Sequence, residues 1–456
     1  MKEVHRFSRR SLLGASVVGS AGLVLAACGQ VQMTGGDMEQ DAEAPKEEAE
    51  QPQMVEHAPV IALLISQRED TIAKTAATLQ LFATEHPEVH VAWKLGYPPR
   101  ELPPLLAAGS PPDVCWWGVA PHQVADIVRD HRPILAAHGV NIDEIVEPVI
   151  TGNTWQGKLL GVPYGLNTTS IFYNKDHFAA AGLNPPTDET TWEQVLNDAD
   201  ALTAHLNQGS EKKTAWGIAM SSYIPQYLPF VYGGMLDADG ELAADREIVL
   251  HMVRMIKDSW TRREAAPGPN NEDIDLSRFA IAAFGRQQLS QVIFGTWGIV
   301  PTREAAEFGF DSIEPPYLEI GGGRTRGAFM GQEEHFVLDS STNPDAETLV
   351  VWFAKSTHQE WMGQRGHAIP VHIPSQHAFG PPEDNPHPAN QLSFARSAGY
   401  ATPFWPHPAY LSFTGALNTH LRPHFREEDN LTSEEAVENA FAALEQAIED
   451  WKKENA

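Results

Sequence analysis

The sequence predicts an α/β protein with two lobes. Strand-like apolar runs alternate with helix-period stretches in two successive parts of the chain, the first beginning at Val60 and the second near Thr169. Strand, helix, strand in that order is typical of an α/β layer with a mostly parallel sheet. A chain of 456 residues is long enough to bury two hydrophobic cores. The pattern leaves open which strands share a sheet.

The elements of the first part follow from the order of these runs. Val60–Ile65 is an uninterrupted apolar run and predicts a strand, and Glu69–Glu85 has a helical period. Val89–Leu95 and Asp113–Trp117 predict two further strands, with a proline-rich passage around Leu102 between them. The first part is therefore predicted as one strand, one helix and two more strands.

The second part is predicted to open with a strand at Thr169–Tyr173. A helix follows, and its start at Thr190–Glu193 has the spacing of a capping box. Further helices are predicted at Glu247–Trp260 and Ser277–Phe284. Thr432–Trp451 predicts a last, amphipathic helix, whose apolar face carries Ala436, Ala440, Phe441, Leu444 and Ile448.

The N-terminal segment combines a basic start, an apolar run and a cysteine. Arg9 and Arg10 precede the run from Leu12 to Ala27, which ends directly before Cys28 and is too short for a good transmembrane span. The segment resembles the signals of lipoproteins exported by the twin-arginine (Tat) pathway; an ordinary secretory signal is the alternative. The resemblance implies that residues 1–27 are removed and that lipidated Cys28 anchors the chain to the outer face of the cytoplasmic membrane.

Charge and cysteine content restrict the partners of the mature chain. Residues 28–57 are acidic and almost free of large apolar side chains, which predicts a disordered tether. The formal net charge is −28, and so acidic a surface repels phosphate backbones, which excludes nucleic acid as an expected partner. Besides Cys28 the only cysteine is Cys115, whose apolar strand favours a core residue over a nucleophile or metal ligand.

Short motifs recur in a fixed order along the chain. They are Pro163–Gly165, Ile171–Asp176, Ala181–Pro186, Gly233–Asp237 and Gly295–Gly298. In this order they resemble extracellular solute-binding proteins that serve ABC sugar importers, the relatives of maltose-binding protein. The resemblance covers the chain from Val60 to Trp451.

The resemblance implies a periplasmic-binding-protein-like fold, in which two α/β lobes are joined by a hinge and close on a ligand in the cleft between them. The first lobe would comprise residues 58–165 and 329–372, and the second residues 166–328 and 373–456. The implied function is capture of a sugar or oligosaccharide and its delivery to the membrane subunits of an ABC permease. A monomer without cofactor or metal is expected.

Aromatic residues are predicted to contact the sugar, because a ring laid on a pyranose face covers its C–H groups. The resemblance places such rings at Trp117, Trp297, Trp405, Tyr223 and Tyr227. Adjacent residues of a strand point to opposite faces, so one of Trp116 and Trp117 should lie in the core. Core packing is the alternative for these aromatics, and it is weakest for Trp297, which lies in a tight connection before Gly298.

Polar residues are predicted to bind the sugar hydroxyls, which need donors and acceptors. The candidates are Arg68 and Glu69 after the first strand, Asn167 and Thr168 in the crossover, and Gln332 where the chain re-enters the first lobe. Relatives often carry an acid in this crossover, where the chain has the Asn167 amide. A solvated helix start is the alternative for Arg68 and Glu69, and a solvated face for the polar run that begins at Gln332.

Other functions stay open at this point. The same scaffold accommodates a polyol or a glycerol phosphodiester, for which Arg68 is the candidate phosphate-binding residue. A carbohydrate-active lipoprotein enzyme would need two carboxyl groups about 5–10 Å apart across the cleft. The sequence contains no Gly-x-Ser-x-Gly, His-Glu-x-x-His or comparable catalytic motif.

Overall fold

The computed structural model describes residues 58–65, 69–118, 121–221, 225–237, 239–276, 280–403, 407 and 409–455. The predicted signal, Cys28 and the acidic tether lie outside these residues. Within them the protein is mixed α/β structure. No helix in this part of the chain is long and apolar enough to cross a bilayer.

Strands and helices are numbered here in chain order. The strands are β1 (Val60–Ile65), β2 (Val91–Gly96), β3 (Val114–Trp117), β4 (Thr154–Trp155), β5 (Lys158–Leu159), β6 (Val162–Asn174), β7 (Gln291–Gly295), β8 (Phe310–Ile313), β9 (Leu318–Ile320), β10 (Gly323–Thr325), β11 (Phe329–Val337) and β12 (Thr402–Pro403). The helices of the first half are α1 (Glu69–Glu85), α2 (Pro98–Ala107), α3 (His131–Ala137), α4 (Glu147–Gly152), α5 (Lys175–Ala180), α6 (Trp192–Leu206) and α7 (Leu228–Gly233). The remaining helices are α8 (Arg246–Thr261), α9 (Ile281–Gly285), α10 (Ile299–Ala305), α11 (Asp345–Trp352), α12 (Ser356–Arg365), α13 (Leu392–Ser397), α14 (Tyr410–His420), α15 (Arg422–Phe425) and α16 (Ser433–Asn455).

One curled sheet organises the fold, with the strand order β2-β1-β3-β11-β6-β7, while β12 pairs with β11 and β8 with β6. Strand β1 is parallel to β2 and β3, but β11 is antiparallel to β3 and β6, and β6 is antiparallel to β7 and β8. The prediction of a mostly parallel sheet is therefore wrong beyond β2-β1-β3. The reason is that β6 carries the chain across the sheet and β11 carries it back, which forces antiparallel pairing.

Strand β6 is longer than its sequence indicates. It runs for 13 residues from Val162 to Asn174 and is buried throughout, whereas the apolar pattern predicts a strand only from Thr169. Apart from Leu166, the segment from Gly165 to Ser170 consists of small or polar residues, so it gives no hydrophobic period. Its register is instead set by pairing with β11, from Thr168 opposite Met330 to Val162 opposite His335.

Helix boundaries agree with the sequence to within a few residues. Helix α6 has a capping box between Thr191 and Gln194, one residue later than predicted. Helix α16 begins after Thr432, whose hydroxyl accepts from the Glu435 amide while the Glu435 carboxylate accepts from Thr432. The apolar face predicted for this last helix is confirmed, because all of its members are buried: Ala436, Ala440, Phe441, Leu444 and Ile448.

Hydrophobic clusters cover both faces of the sheet. At the β2-β1-β3 end, Trp116 packs in a cluster on one face, and Trp117 packs with Cys115 in a cluster on the other. At the β7-β8 end, one cluster contains Phe230 and Phe441 of the helical layer. The remaining cluster joins the two ends, since it contains Ile145, Leu166 and Ile369 together with aromatic residues of β6 and β7.

Candidate ligand-binding site

The carboxyl ends of β1 and β3 and the crossing strand β6 border a small pocket of about 50 Å³. Leu64, Trp116 and Tyr164 line this pocket from the sheet, and Lys74 and Thr78 line it from α1. Because β1 and β3 are parallel, their carboxyl ends lie at the same edge of the sheet. Ligands of open α/β sheets bind at that edge, which makes this pocket the starting point for locating a site.

A directional chain of hydrogen bonds adjoins the pocket. Trp116 Nε1 donates to the Tyr164 hydroxyl over 3.1 Å, and the Tyr164 hydroxyl donates to Glu333 Oε2. Asn167 Nδ2 donates to the second oxygen, Glu333 Oε1, over 3.0 Å. An indole N–H only donates and a carboxylate only accepts, so the direction of each bond is fixed. Both oxygens of the half-buried Glu333 carboxylate are therefore held by donors.

A β-bulge brings these side chains together. In a regular strand Tyr164 and Asn167 would point to opposite faces, because their positions differ by an odd number, three. The pairing of β11 with β6 shifts register between Glu333 and Glu334, so that Gly165 lies opposite Glu333 while Pro163 lies opposite Glu334. Such a bulge changes the direction in which side chains leave the strand. This shift allows one carboxylate to accept hydrogen bonds from both Tyr164 and Asn167.

Burial keeps the groups around this network in fixed protonation states. It raises the pKa of Tyr164 well above its usual range, and the neighbouring Glu333 carboxylate raises it further, so the phenol remains a donor. His335 packs against Tyr164 with ring centroids 4.5 Å apart, and burial lowers its pKa well below the usual range. Burial likewise lowers the pKa of His358 to about 3. The pocket wall formed by these histidines is therefore uncharged at neutral pH.

Asn167 leaves one atom of the network unused. Its side chain is 4% exposed, and its Oδ1 atom has no hydrogen-bond partner among the residues that the structure describes. Buried polar atoms of folded proteins are nearly always paired. Of the candidates named from the sequence, Asn167 is thus the one that the structure brings into a polar cluster with an unused acceptor.

Trp297 lies where its sequence context predicts, in a tight connection. Thr296–Gly298 form a single 3₁₀ turn directly after β7, and the Trp297 side chain is only partly buried. The ring folds back over Gly295, since a Cβ on that glycine would come within 2.2 Å of it. Glycine at position 295 therefore makes room for the indole, and contact between Trp297 and a ligand stays a prediction.

Other candidates lie in the interior, which differs from the expectation that they face a ligand. Trp117 is 0% exposed and packs against Phe336. Thr168 donates a hydrogen bond to the Phe394 carbonyl over 2.6 Å, and Gln332 donates one to Asn153 Oδ1 over 2.9 Å. The Tyr227 hydroxyl accepts a hydrogen bond from Asn418 over 3.0 Å. The alternation expected for the two tryptophans is confirmed, but both indoles are buried. The burial has one cause: in a sheet covered on both faces, either face of a strand leads into a core. Contact of these residues with a ligand stays a prediction.

Several candidates remain untested. Arg68, Tyr223 and Trp405 lie outside the described residues, as does the side chain of Glu69, the first residue of α1. Their contact with a ligand stays a prediction. Among the residues that are described, no group of three or more His, Cys, Asp or Glu side chains is placed to hold a metal ion.

Sequence reasoning did not name Tyr164 as a site residue, and within the run Gln332–Glu334, of which at least one member was expected to face the cleft, it did not single out Glu333. Tyr164 stands in the sequence as part of a family motif, and Glu333 stands beside Gln332 in a polar run. In the structure Gln332 turns inward and Glu333 joins the network. The alternation of a strand separates these two neighbours, but only the bulge determines which face each one takes.

Comparison with known proteins shows which family has this architecture. A family model described as bacterial extracellular solute-binding protein matches residues 70–360. The chain belongs to this family. The solute-binding protein also shares its fold with an ABC substrate-binding protein from Listeria monocytogenes in complex with cycloalternan. That match has a TM-score of 0.71 and 15% identity, and covers 86% of this chain and 99% of the other.

Further solved structures have the same two-lobed fold. The GacH receptor of Streptomyces glaucescens, solved with acarbose, matches with a TM-score of 0.69 and 17% identity over 86% of this chain and 99% of that one. The maltose/maltodextrin-binding domain MalE from Bdellovibrio bacteriovorus, bound to maltotriose, matches with a TM-score of 0.68 and 17% identity over 85% and 99%. At these identities the likeness establishes the fold.

The alignments with sequence relatives are shorter than the structural matches. An sn-glycerol-3-phosphate-binding periplasmic protein from Yersinia enterocolitica is 31% identical over 91 residues. The alignment spans 19% of this solute-binding protein and 21% of the relative. A second protein of that description, from Pectobacterium atrosepticum, is 30% identical over 99 residues, again 21% of each chain. The family is described as extracellular, and these relatives are described as periplasmic binding proteins.

Proposed function

We propose that this protein is the receptor of an ABC importer for a sugar or an oligosaccharide. The observation that carries the proposal is the Glu333 carboxylate held by Tyr164 and Asn167 beside an aromatic pocket. A carboxylate and an amide provide directional bonds to hydroxyls, and aromatic rings cover the C–H face of a pyranose. Several solved structures of this fold are described with a bound saccharide, which agrees with that chemistry.

Transport would depend on closure of the two lobes around the ligand. The proposed lobes are residues 58–165 with 329–372 and residues 166–328 with 373–456, so that β6 crosses from the first to the second and β11 begins where the chain returns to the first. The permease has to distinguish a loaded receptor from an empty one. A shift from 1:99 to 99:1 in favour of the closed state requires the ligand to prefer that state by about 5.5 kcal/mol. This chain breaks no bond, and ATP hydrolysis by the transporter supplies the energy.

The receptor is proposed to work from a lipid anchor. Export through the Tat pathway and lipidation of Cys28 would hold it on the outer face of the cytoplasmic membrane as a monomer, with residues 29–57 as the tether. Substitution of Cys28 by serine removes the acceptor of the lipid. Fractionation of cells then tests the anchor, because the wild-type protein should sediment with membranes and the Cys28→Ser protein should not.

A phosphorylated solute is the second candidate function. It is favoured by the sequence match to sn-glycerol-3-phosphate-binding periplasmic proteins, whose identity of 31% exceeds that of the sugar-bound solved structures. A phosphate ligand needs arginine, lysine or a helix N-terminus in the cleft. Arg68 is the sequence candidate for that role, and Lys74 lines the pocket in the structure.

Thermal unfolding with candidate ligands tests both functions. Residues 28–456 carrying Cys28→Ser would be heated with monosaccharides, oligosaccharides, polyols and glycerol phosphates. A ligand at 100 times its Kd should stabilise the folded state by about 2.7 kcal/mol, which raises the midpoint visibly. A selective shift by one saccharide that is not consumed supports the sugar receptor. A shift by glycerol 3-phosphate alone favours the second candidate, and consumption of the saccharide would overturn the assignment as a receptor.

A further inference from the structure

A second pocket is lined, among the described residues, only by the second proposed lobe. Its volume is about 690 Å³, compared with about 50 Å³ for the pocket beside Tyr164. Three segments line it: the residues just before α7, the loop between α8 and α9, and the stretch Arg422–Glu428. The lining combines amides, such as those of Gln226 and Asn270, with the buried ring of Phe425. We call this space the Arg422 pocket, and its mixture of polar groups and apolar surface suits a small polar solute.

Hydrogen bonds hold the segments that line the Arg422 pocket. Gln226 is 6% exposed, and its Nε2 atom donates to Asn418 Oδ1 of α14 over 3.1 Å. Asn418 Nδ2 in turn donates to the Tyr227 hydroxyl over 3.0 Å. In the loop between α8 and α9, Asn270 Nδ2 donates to the Arg426 carbonyl over 3.3 Å. The shape of the pocket is therefore fixed by contacts within the second proposed lobe.

Arg422 brings to this pocket a positive charge that the described residues do not pair. Its side chain is partly buried, and the guanidinium forms no hydrogen bond or ion pair with any residue that the structure describes. Its neighbour Arg426, by contrast, lies 4.0 Å from the Glu428 carboxylate. The chain has 60 acidic side chains and only 32 lysines and arginines, so acidic partners are abundant and Arg422 still lacks one. Its five N–H donors stay available for a ligand.

We propose that the Arg422 pocket binds the carboxylate of an acidic sugar, so that the solute carries a uronic acid unit. This inference rests on the proposed function as a solute receptor and names the substrate class. A guanidinium and a carboxylate form two parallel, charge-assisted hydrogen bonds, which fix the orientation of the ligand as well as holding it. Asn270 and Asn271 supply amide groups for the hydroxyls of the same sugar.

The charges of the lining favour a carboxylate over a phosphate. A carboxylate carries one negative charge, which the Arg422 guanidinium balances, whereas a phosphate monoester carries about 1.5 to 2 at neutral pH. Asp275 and Glu428 also line the pocket, and the other cation of the described lining, Arg426, already lies beside Glu428. The additional charge of a phosphate would therefore meet acidic side chains without a further cation to offset it.

Isothermal titration of residues 28–456 carrying Cys28→Ser tests the charge preference. The probes are the mono- and disaccharides of galacturonic and glucuronic acid, each paired with the neutral galactose or glucose form and with the sugar 6-phosphate. We expect a uronate to bind at least about 10-fold more tightly than its neutral and phosphorylated counterparts. Arg422→Gln should weaken uronate binding by about 10- to 100-fold and leave the affinity for the neutral sugar unchanged, because it removes only the charge-assisted pair.

Two further variants show that the effect comes from this guanidinium. Arg422→Lys keeps the positive charge but not the planar fork, so it should retain only part of the uronate affinity. Arg286→Gln is the matched control, since Arg286 is an exposed arginine of the same proposed lobe outside the pocket lining, and it should leave every affinity unchanged.

Failure of this inference differs from failure of the proposed function. Equal affinity for the acidic and neutral members of each pair, or tighter binding of a 6-phosphate, overturns the inference while the receptor function stands. Unchanged uronate affinity in a folded Arg422→Gln protein overturns it as well. Binding of no solute, among these probes and those used for thermal unfolding, overturns the proposed function itself. If Arg422→Gln does not fold, judged by near-ultraviolet circular dichroism, Arg422→Lys takes its place, and wild-type uronate affinity in that protein overturns the inference.

Discussion

The Glu334 side chain, next to the candidate site, lies in the interior without a charge partner in the part of the chain that the structure describes. It is 1% exposed, and neither carboxyl oxygen has a hydrogen-bond partner among the described residues. Burial raises the pKa of Glu334 well above its usual range, and the negative charge of Glu333 adds to the shift. The folded protein therefore holds this carboxyl group neutral at a pH at which the unfolded chain ionises it.

Substitution of Glu334 by glutamine should stabilise the protein at neutral pH. The folded pKa is raised, so the stability that this group contributes is complete below the unfolded pKa of about 4.3 and is lost as pH rises toward the folded pKa. Glutamine does not titrate. Urea unfolding at several pH values measures the free energy of unfolding of both proteins. Between pH 4.5 and pH 7.5 the value for Glu334→Gln should rise by about 1 kcal/mol or more relative to that of the wild type. If the free energies of unfolding of the two proteins change in parallel with pH, the prediction is contradicted. Glu211→Gln, at an exposed position, serves as the control.

The buried side chain of His358 gives the stability of the protein the opposite pH dependence. Burial lowers the pKa of His358 to about 3, while Nδ1 of its ring lies 2.9 Å from the Phe353 carbonyl. A lowered folded pKa means that the contribution to stability is present above the unfolded pKa of about 6.5 and is lost as pH falls toward 3. Wild-type stability should therefore fall on acidification by an amount on the order of a few kcal/mol.

His358→Gln tests this assignment, because glutamine retains a donor for the Phe353 carbonyl without titrating. Urea unfolding between pH 7 and pH 4 should give a shallower decline for the variant than for the wild type. His377→Gln is the matched control, since His377 is exposed. An equally steep decline in the His358 variant would show that other groups set the acid sensitivity.

At the scale of elements, local signals predicted the helices well and the crossing strand poorly. Thr191 and Thr432 are followed three residues later by Gln194 and Glu435, and both spacings mark real helix starts. Such a cap depends only on neighbouring residues. The start of β6 has no such signal, because the segment after Gly165 is polar and its strand structure depends on pairing with β11, more than 150 residues away in the sequence.

The capping box of α6 should make a measurable contribution to the free energy of unfolding. Thr191→Ala removes the side-chain acceptor of the Gln194 amide and should lower the free energy of unfolding by about 1 kcal/mol. Thr191→Ser keeps that acceptor and should retain most of the stability. Chemical denaturation of the three proteins under the same conditions measures the difference. If the alanine and serine proteins unfold at the same midpoint, the cap contributes nothing.

The same division between local and distant determinants explains what could be predicted of the site. The order of short motifs identified the family, and the turn around Trp297 followed from its two flanking glycines. Asn167 was named from the sequence, but its partner Glu333 was not singled out from the run Gln332–Glu334, because the choice within that run depends on a bulge. The interior location of Trp117 depends on the segment that covers that face of the sheet. Neither feature has a signature in a single stretch of sequence.

At the scale of the whole molecule, an aromatic contact joins the two proposed lobes away from the candidate site. Trp155, on the β4-β5 hairpin, meets His407 edge to face with ring centroids 6.1 Å apart. On its other side His407 packs against Trp451 of α16 at 4.7 Å. By the proposed boundaries Trp155 belongs to the first lobe, and His407 and Trp451 belong to the second. If the lobes separate as proposed, this contact is broken, so it should favour the proposed closed state.

Removing the Trp155 side chain should weaken ligand binding without changing the site. An aromatic pair contributes about 0.5–1.5 kcal/mol beyond the area it buries, so Trp155→Ala should raise the Kd by about 2- to 10-fold. Small-angle scattering at saturating ligand should give the same radius of gyration as the wild type, because enough ligand restores closure. Trp93→Ala, at an exposed position on the edge strand β2, is the matched control and should leave the Kd unchanged. An unchanged Kd in a folded Trp155→Ala protein would mean that closure is determined at the ligand and the hinge, with no contribution from this contact.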